Sequence, residues 1–587
     1  MSGADSKHEL SGAGGVRTAL PGAGRLVAPV LLMSFILYFI CFFGLNNLPL
    51  IDLIDEGLYA DAARQMLDSG DWLTPRFGQL VFLDKPPLTY WCQAIFIRLL
   101  GPIPLAARLP SAIAATLTAL VLFYWARRRG LVRAGWLAAI IYGLCPLVAV
   151  GLARVAMVDS LLTLWLTLAI AGWIEGYGGN RRGYLLMAAG MGLAVMTKGV
   201  IGFLLPCLAA AIFLTMRRDW AALRQVPWAA SLAIFMGLAL PWHVAAWWAN
   251  GDYFFREYIV HQHVQRFLGR DFGHNRPFWN YIPVLALATF PWIAFMPLVW
   301  WRALSSLRSE RSSAVSVMAM WAVWAAVVVL FFSLSANKLS SYILPALPAL
   351  ALLSAWRLDS VWEVRKGLSF TESSILSVCG AVAGAVLLIA GILGWRWRNP
   401  PASPTWLAKE LGWIFNWKEG AQTPEMLWLK LTPLTGLAPY WITLGVLFLL
   451  TALIVLAFWR NTSRTFLSAF MMSLTIAAAT THFLLPAWSR YDAVPLEALA
   501  ERTRPALERG ERVVLYALHP KRISLHYRLG HRNQVIETFS PEILQGIMQE
   551  DGTGYVLTGK DRPLPLLPGS FQQEAAAGPW VLWRYNR

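Results

Sequence analysis

Residues 55–91 read DEGLYADAARQMLDSGDWLTPRFGQLVFLDKPPLTYW and come directly after a long apolar segment. This stretch is rich in acidic residues, and with its upstream neighbour it contains Asp52, Asp55, Glu56, Asp61, Asp68, Asp71 and Asp84. It also carries one lysine, Lys85, followed by two prolines. Nearly everything after it is apolar enough to form membrane-spanning helices. We expect a functional site in this polar, acid-rich loop, because the surrounding apolar segments hold it beside a bilayer.

The composition is typical of a polytopic membrane protein. Of the 587 residues, 57% are hydrophobic and 14% are charged, whereas about a quarter of a soluble domain is charged. Apolar runs of roughly 18 to 24 residues recur along the chain, and each can cross a bilayer as a helix. We therefore predict an all-α membrane domain of about thirteen transmembrane helices, with further short helices at its outer surface.

The basic residues predict how these helices are oriented. The net charge is +17, but Arg and Lys cluster in short turns such as RRRG at 127–130 and the pairs Arg181-Arg182 and Arg217-Arg218. Cytoplasmic turns of membrane proteins retain such charges. The charge therefore indicates membrane topology and excludes a nucleic-acid surface as its main explanation. It predicts a cytoplasmic N-terminus and places the acidic stretch outside.

The chain divides into three predicted parts. Residues 1–26 form a cytoplasmic tail, and 27–487 form the transmembrane domain, whose first external loop covers 55–105. The composition changes after this, and 488–587 contains the strand-like runs VVLYAL, VIETF, GYVLTG and PWVLWRYN with a helical run between them. These patterns predict a small α/β domain. An odd number of crossings places it outside the membrane, on the same side as the acidic stretch.

Two short helices are predicted in the first external loop. The spacing of Leu58, Ala62 and Met66 predicts an amphipathic helix over 56–69 on the membrane surface. Asp55 precedes it, either as its N-cap or as a catalytic carboxylate, and one residue can do both. The prolines after Lys85 favour a second helix. Lys85 lies at the start of this second helix, where its ammonium and the helix dipole could bind a phosphate. Alternatively, Lys85 only extends its ammonium towards the lipid headgroups.

Asp159 lies a few residues into the apolar run ARVAMVDSLLTLWL. An ionised residue there is costly and usually marks a functional site, although a structural pair with Arg154 is the alternative. Three further residues are predicted on the same side of the membrane as Asp159: Lys198 in the turn TKG, and Lys338 and Tyr342 in NKLSSYILP. Separate loops are thus predicted to bring carboxylates, cations and a tyrosine together at the outer surface of the membrane.

The loop FFREYIVHQHVQRFLGRDFGHNRPFW adds five basic or titratable side chains, His261, His263, Arg266, Arg270 and His274. With Asp84, the first two histidines could hold a divalent metal, although their spacing matches no established ligand signature. The alternative is a pair of interface histidines beside a set of phosphate-binding arginines. The five cysteines are scattered, which excludes an evident disulfide framework or cysteine-based metal site. No nucleotide-binding fingerprint is present, so we expect no nucleotide cofactor, and a divalent metal is the one candidate.

A combination of motifs resembles a known family. DEGLYADAARQMLDSGDW, DKPPLTYW, ARVAMVDS, TKG, HQHVQRF and KLSSYILP together are similar to the ArnT-like and dolichyl-phosphate-mannose–protein mannosyltransferase-like families of GT-C integral membrane glycosyltransferases. The resemblance implies a polyprenyl-phosphate sugar donor such as an undecaprenyl phosphate, an inverting single displacement, a lipid A-like acceptor, and an active site at the periplasmic face of a bacterial inner membrane.

The resemblance also implies roles for individual residues. Asp55 and Asp159 are the expected catalytic carboxylates. The lipid phosphate is expected at Lys85, Tyr342 and Arg270 or a neighbouring arginine, and the substrate site is completed by Glu56, Tyr59, Lys198 and Lys338. The family is expected to read FEKP where this chain reads FLDKP, so Asp84 is a departure.

Three other functions are compatible with these patterns. An enzyme of the same fold could glycosylate a protein or a glycan instead of a lipid. A transporter or flippase for lipid-linked sugars would also need basic residues and intramembrane carboxylates, but transporters often show paired halves with a site at the bilayer midplane. A non-catalytic envelope scaffold leaves Asp159 unexplained.

Overall fold

The computed structural model describes residues 33–51, 55–78, 80–269, 276–309, 313–364, 369–396, 437–491, 493–518, 523–530, 534–560, 564 and 570–586. The predicted tail at 1–26 lies outside these ranges. Up to residue 491 the described chain is mostly helical, with one two-stranded hairpin, β1 (Arg76–Phe77) and β2 (Leu80–Val81), in the first loop.

The helices of the described chain up to residue 491 are α1 (33–41), α2 (Glu56–Ser69), α3 (Leu88–Leu100), α4 (Pro104–Arg128), α5 (Val132–Leu144), α6 (Asp159–Tyr177), α7 (Arg182–Lys198), α8 (Ile201–Arg217), α9 (Trp228–Tyr253), α10 (Tyr281–Ala288), α11 (Met296–Ser309), α12 (Ser313–Leu334), α13 (Leu347–Val364), α14 (Phe370–Arg396), α15 (Ala438–Ala457), α16 (Thr462–Ala479) and α17 (Leu485–Tyr491). A π-helical segment, Phe254–Gln265, continues α9 and leads into a single α-helical turn, Arg266–Leu268. A 3₁₀ segment, Ser340–Ala346, precedes α13.

Eight helices of the described chain are long and apolar enough to cross a membrane. A ninth span results if the bent pair Phe278–Ala288 and Trp292–Leu304, whose halves meet at 113°, is one crossing. Val132–Leu144 and Ile201–Arg217 are apolar but shorter. These elements coincide with runs that the sequence marks as spans, and the number thirteen stays a prediction.

The pairing of α6 with α7 brings two predicted site residues together. The two helices are joined by a short turn and run antiparallel, so the start of α6 at Asp159 faces the end of α7 at Lys198. Glycines allow their backbones to touch, because a Cβ on Gly183 would stand 2.5 Å from the Gly172 carbonyl oxygen. A larger residue at either glycine would push the helices apart and separate the charged ends.

The two predicted helices of the first loop are confirmed. Asp55 is the N-cap residue of α2, which ends at Gly70, where φ is +73°. The α3 helix begins at Leu88, directly after the two prolines. One expectation needs correction, since α2 is buried on most of its surface by α3 and by the C-terminal part of the chain. It is a packed element of the protein and not a helix lying on a membrane surface.

The C-terminal part forms a five-stranded sheet with helices around it. Its strands are β3 (Arg512–Tyr516), β4 (Val535–Thr538), β5 (Thr553–Gly559), β6 (Ser570–Ala577) and β7 (Trp580–Asn586), in the order β4-β3-β5-β7-β6. The β3 strand pairs parallel with β4 and β5, and β7 pairs antiparallel with β5 and β6. Its helices are α18 (Ala493–Arg502), α19 (Arg504–Glu508), α20 (Ile523–Leu529) and α21 (Pro541–Asp551).

The C-terminal sheet unit docks onto the first loop through α20. The Arg64 guanidinium, on α2, donates hydrogen bonds to the backbone carbonyls of Tyr527 and Arg528. The Tyr527 hydroxyl donates to the Ile103 carbonyl at 3.0 Å. The helix that follows Asp55 is therefore held from the outside by the C-terminal unit.

Replacing Arg64 with Met should loosen this contact. Methionine retains the helix propensity and the apolar stem but leaves two carbonyls without their donor, which costs about 1–3 kcal/mol. Hydrogen exchange in α20 should become faster. The control is Arg256→Met, since that arginine is 82% exposed and only weakly paired with Asp252. Unchanged protection of α20 in the Arg64 variant would contradict the proposed contact.

Candidate active site

Asp55 lies at the start of α2 with its side chain exposed. Its carboxylate makes no hydrogen bond to the first turn of the helix, so capping is not what this side chain does here. Its charge acts on the buried hydroxyls of Tyr59 and Tyr90, which lie within its electrostatic range. Asp55 is thus an accessible carboxylate next to a buried aromatic and polar cluster.

Glu56 has a different environment from its neighbour. It is fully buried, and its carboxylate forms a bidentate pair with Arg108 at 2.7 and 2.9 Å. The same two oxygens accept hydrogen bonds from the backbone amides of Ile51 and Ala156 at 2.7 and 2.8 Å. These bonds fix α2 against α4, and the substrate contact expected of Glu56 stays a prediction.

Asp84 and two cations form the first cluster of the site. Its Oδ1 atom accepts from Lys85 Nζ at 2.8 Å and from Arg266 Nη1 at 2.7 Å, while its Oδ2 accepts from the Tyr59 hydroxyl at 3.2 Å. Arg266 Nη1 also donates to the Gln262 side chain at 2.6 Å. One carboxylate, 11% exposed, thus aligns two positively charged groups from distant parts of the chain.

The charges in this cluster shift one another's pKa. Burial alone would raise the pKa of Asp84, but the Lys85 and Arg266 charges outweigh it and lower this pKa to about 2. Burial lowers the pKa of Lys85 to about 8, against the opposing effect of Asp84 and with a contribution from Arg266. Asp84 is therefore a permanent anion at neutral pH, whereas Lys85 loses its proton more readily than an ordinary lysine.

Asp159, Lys198 and Tyr342 form the second cluster. Lys198 Nζ donates to Asp159 Oδ1 at 2.5 Å, and the same ammonium lies 4.6 Å from the centroid of the Tyr342 ring. The alternative prediction, a structural ion pair between Asp159 and Arg154, is wrong. The Arg154 guanidinium donates instead to the carbonyls of Ile40 and Phe43, at 2.7 and 2.8 Å.

The two clusters are neighbours. The ammonium groups of Lys85 and Lys198 are close enough to repel each other, and Arg266 is within electrostatic range of the Tyr342 hydroxyl. Lys85, Arg266 and Lys198 thus share one region with the carboxylates of Asp84 and Asp159. This leaves one net positive charge among these five groups, in a region that suits a bound anion.

The candidate metal ligands do not form a shared site. His261 Nδ1 pairs with Glu257 at 2.9 Å, and the two nitrogens of His263 face the Tyr258 carbonyl at 2.6 Å and the Val200 amide at 3.3 Å. Asp84 is occupied by two cations. No group of three His, Cys, Asp or Glu side chains converges anywhere in the described part of the chain. The sequence-based ligand set is therefore not assembled in this structure.

The remaining predicted residues lie at the edge of the site or outside the described chain. The Lys338 ammonium donates to the Ser335 carbonyl and, within the described ranges, not to either cluster. Its neighbour Asn337 donates to the carbonyls of Arg266 and Gly269, both at 2.8 Å, which ties this segment to the first cluster. Arg270 lies outside the described residues.

Comparisons with known proteins identify the family. The family model for dolichyl-phosphate-mannose-protein mannosyltransferase matches residues 84–247. An undecaprenyl phosphate-α-4-amino-4-deoxy-L-arabinose arabinosyl transferase of Pseudomonas aeruginosa is 31% identical over 64% of this chain and 67% of its own length. The chain belongs to the ArnT-like GT-C family.

Other ArnT-like proteins match over similar regions. A transferase of the same name from Aeromonas hydrophila is 34% identical over 57% of this chain and 61% of its own length. A Pseudomonas fluorescens relative is 31% identical, and the match spans 65% of its length. The matches to these relatives thus span about two thirds of their length or less.

A solved structure supports the ArnT-like fold over nearly the whole chain. The crystal structure of ArnT from Cupriavidus metallidurans bound to undecaprenyl phosphate superposes with a TM-score of 0.72 and 21% identity. The match covers 96% of this chain and 98% of that one. The likeness includes the C-terminal sheet unit, since so little of either chain is left out.

Local sequence patterns contain only partial signals for the site of this ArnT-like chain. Arg266 is one of several basic residues in its loop, and the sequence favours Arg270 or a neighbouring arginine for the phosphate. Its position four residues after its partner Gln262, a spacing typical of helical contacts, is a further signal. Its bond to Asp84 joins residues 182 positions apart. Arg108 gave no signal beyond being a charged residue in an apolar run.

Proposed function

We propose that this chain is an inverting glycosyltransferase that moves a sugar from a polyprenyl-phosphate donor to a lipid A-like acceptor at the periplasmic face of the bacterial inner membrane. The observation that carries the proposal is the juxtaposition of three cations, Lys85, Arg266 and Lys198, around the carboxylates of Asp84 and Asp159. The relatives support it, because they are named as transferases that use an undecaprenyl phosphate-linked sugar.

The cations suit a leaving group that is an anion at the membrane surface. In the proposed step, an acceptor oxygen forms a bond to the anomeric carbon while the bond from that carbon to the lipid phosphate breaks. The bonding electrons leave with the phosphate, whose charge Lys85, Arg266 and Lys198 stabilise. Asp55 takes the proton of a hydroxyl acceptor or stabilises positive charge on the sugar ring. Because the attack is a single displacement, the configuration at the anomeric carbon inverts.

The carboxylates of Asp84 and Asp159 have a positioning role in this proposal. Asp84 aligns Lys85 with Arg266, and Asp159 holds Lys198 against Tyr342. Without these anions, the like charges would repel each other before the donor binds. An incoming phosphate then adds further negative charge that the cations can share. The proposed chemistry needs no nucleotide, since the phosphate ester of the donor already provides the leaving group.

The membrane topology belongs to the same proposal. About thirteen spans over 27–487 would place the N-terminal tail of 1–26 in the cytoplasm and the unit over 488–587 in the periplasm. The docking of α20 on α2 supports this arrangement. The contacts join the C-terminal unit to the first loop, which carries Asp55, and so favour a common side of the membrane for both.

A transfer assay tests the proposal. The purified chain is reconstituted with synthetic undecaprenyl-phosphate sugars and an envelope extract that contains both lipids and proteins, and products are identified by the mass that they gain. We expect a glycosylated lipid from the lipid-linked donor and none from the matching nucleotide sugar. A glycosylated protein in place of a lipid product would instead favour the protein O-glycosyltransferase, which the family match over 84–247 also allows.

The lowered pKa of Lys85 predicts a pH dependence of donor binding. The charged lysine is lost as pH rises through its pKa of about 8, whereas the phosphodiester of the donor keeps its charge. The KM for the donor should therefore rise about tenfold between pH 7 and pH 9.

The matched variant is Lys85→Arg, whose side chain stays charged over this range. Its KM should be nearly independent of pH, even if it is higher than that of the wild type throughout. The role assigned to the Lys85 charge is contradicted if both proteins show the same rise.

A further inference from the structure

A cavity opens at the end of the membrane domain that lies away from the candidate active site. Its volume is about 1170 Å³, and its walls come from the start of α5, the end of α13 and the turn between α15 and α16. The lining side chains that matter for the argument are Arg133, Trp136, Trp362, Trp459 and Arg460.

The position of this cavity follows from the course of α13. This helix begins directly after the segment that carries Tyr342 in the active site, and it ends at Val364, two residues beyond Trp362. Its 18 residues correspond to a length of about 27 Å. The cavity is therefore roughly one membrane thickness away from the lysines and carboxylates of the transfer site.

The mouth of the cavity carries a positive charge, at Arg460, that no acidic residue of the described ranges neutralises. The Arg460 guanidinium lies 4.9 Å from the centroid of the Trp459 ring, and it forms no ion pair with any residue in the described part of the chain. Arg133, on the opposite wall, is paired with Asp359 at 3.2 Å. Arg460 thus presents a cation that is oriented by an aromatic ring and available to an external anion.

The remaining wall is aromatic and apolar. Trp136, Trp362 and Trp459 line the same space as Arg460. Tryptophan is enriched where membrane proteins pass from lipid tails to headgroups, because its ring is apolar and its N–H is polar. A ligand that fits this wall has an anionic group next to an apolar body, and a cavity of this size accepts more than a small ion.

We propose that this cavity binds an anionic phospholipid from the surrounding bilayer, with its phosphate at Arg460 and the upper part of its acyl chains against the three tryptophans. Basic pockets between helices at the cytoplasmic side of membrane proteins bind such headgroups. The proposal does not depend on the transfer reaction. It assigns a lipid site at the opposite membrane face, where the donor and acceptor are not expected.

Native mass spectrometry of the full chain tests the site. The protein is purified in detergent and mixed with equal amounts of phosphatidylglycerol and phosphatidylcholine, and the lipid retained on the folded protein is counted. The wild type should retain phosphatidylglycerol preferentially. Arg460→Gln should reduce this retention about fivefold, which is the effect of removing one basic residue from an anionic lipid surface.

Arg464→Gln is the matched control. Arg464 lies near the same helix end, stacks on the Phe458 ring at 4.2 Å and does not line the cavity. The two variants have the same net charge, so a general attraction to anionic lipid affects both equally. Retention that falls equally in both, or in neither, would overturn the proposal.

Ser463→Asp provides a second variant that should fold well. Ser463 lines the cavity and lies in the first turn of α16, where an acidic residue stabilises a helix. The added charge should nevertheless reduce phosphatidylglycerol retention and leave phosphatidylcholine unchanged. Unchanged phosphatidylglycerol retention, or displacement of the retained lipid by excess inorganic phosphate, contradicts a site for the whole lipid.

Discussion

Asp55→Asn is expected to lower the rate of sugar transfer by roughly 10²- to 10⁴-fold, the usual contribution of a positioned general base. Asparagine has the same shape as aspartate and is equally favoured at the start of a helix. Since Asp55 is exposed and its side chain does not cap α2, the variant should fold like the wild type. Single-turnover rates at saturating donor measure the effect, with thermal unfolding as the check on folding.

The same helix offers a matched control. Asp68 is also an exposed aspartate of the first loop, with a side chain that is 51% exposed and that pairs with Arg64 at 3.4 Å. Asp68→Asn should transfer sugar at nearly the wild-type rate. Equal losses in the two variants would mean that the charge of the loop matters and not a base at position 55.

Asp159→Asn is expected to cost about 3–5 kcal/mol of stability and to abolish transfer, because removing one partner of a buried pair leaves the other charge uncompensated. The side chains of Lys198 and Asp159 are only 9% and 2% exposed. The unpaired ammonium also remains next to Lys85, which it repels. Unfolding in detergent, followed by temperature or denaturant, measures the loss.

A double variant separates stability from catalysis. In Asp159→Asn with Lys198→Met, no charge is left unpaired, so most of the lost stability should return. Transfer should stay abolished, because the cation that stabilises the leaving phosphate is missing. If the double variant is both stable and active, the Asp159–Lys198 pair is structural only, and the assignment of Asp159 to the site is wrong.

Local patterns predicted several elements well. The helix over Glu56–Ser69 follows from apolar spacing, and the start of α3 at Leu88 follows from the two prolines before it. In the C-terminal unit, the runs that became β3, β4, β5 and β7 are rich in apolar, β-branched and aromatic residues. The β6 strand, SFQQEAAA, was missed because its residues carry no such signal.

The arrangement of the site could be predicted only in part. Asp159, Lys198 and Tyr342 were expected at one level, since each lies at the end of a span, and the structure joins them. Which carboxylate meets which cation could not be predicted, because the bonds from Glu56 to Arg108 and from Asp84 to Arg266 cross 52 and 182 positions. Such pairs depend on how the helices pack against each other, and local sequence patterns do not predict that packing.

The docking of the C-terminal unit is a similar case. Arg64 lies on the polar side of a short helix and looks like a surface residue in the sequence. Its hydrogen bonds to α20 join residues 463 and 464 positions apart. The burial of α2 is therefore a property of the whole chain, which explains why the surface helix expected from its periodicity is found inside the protein.

The most direct test of the central claim follows the donor lipid itself. Purified protein in liposomes receives an undecaprenyl-phosphate sugar and a lipid acceptor, and the glycosylated lipid, the free undecaprenyl phosphate and the donor in each leaflet are quantified together. A glycosyltransferase releases one undecaprenyl phosphate for each sugar transferred, with the anomeric configuration inverted. Donor that crosses the bilayer chemically unchanged, with no released undecaprenyl phosphate, would contradict the account and identify a transporter instead.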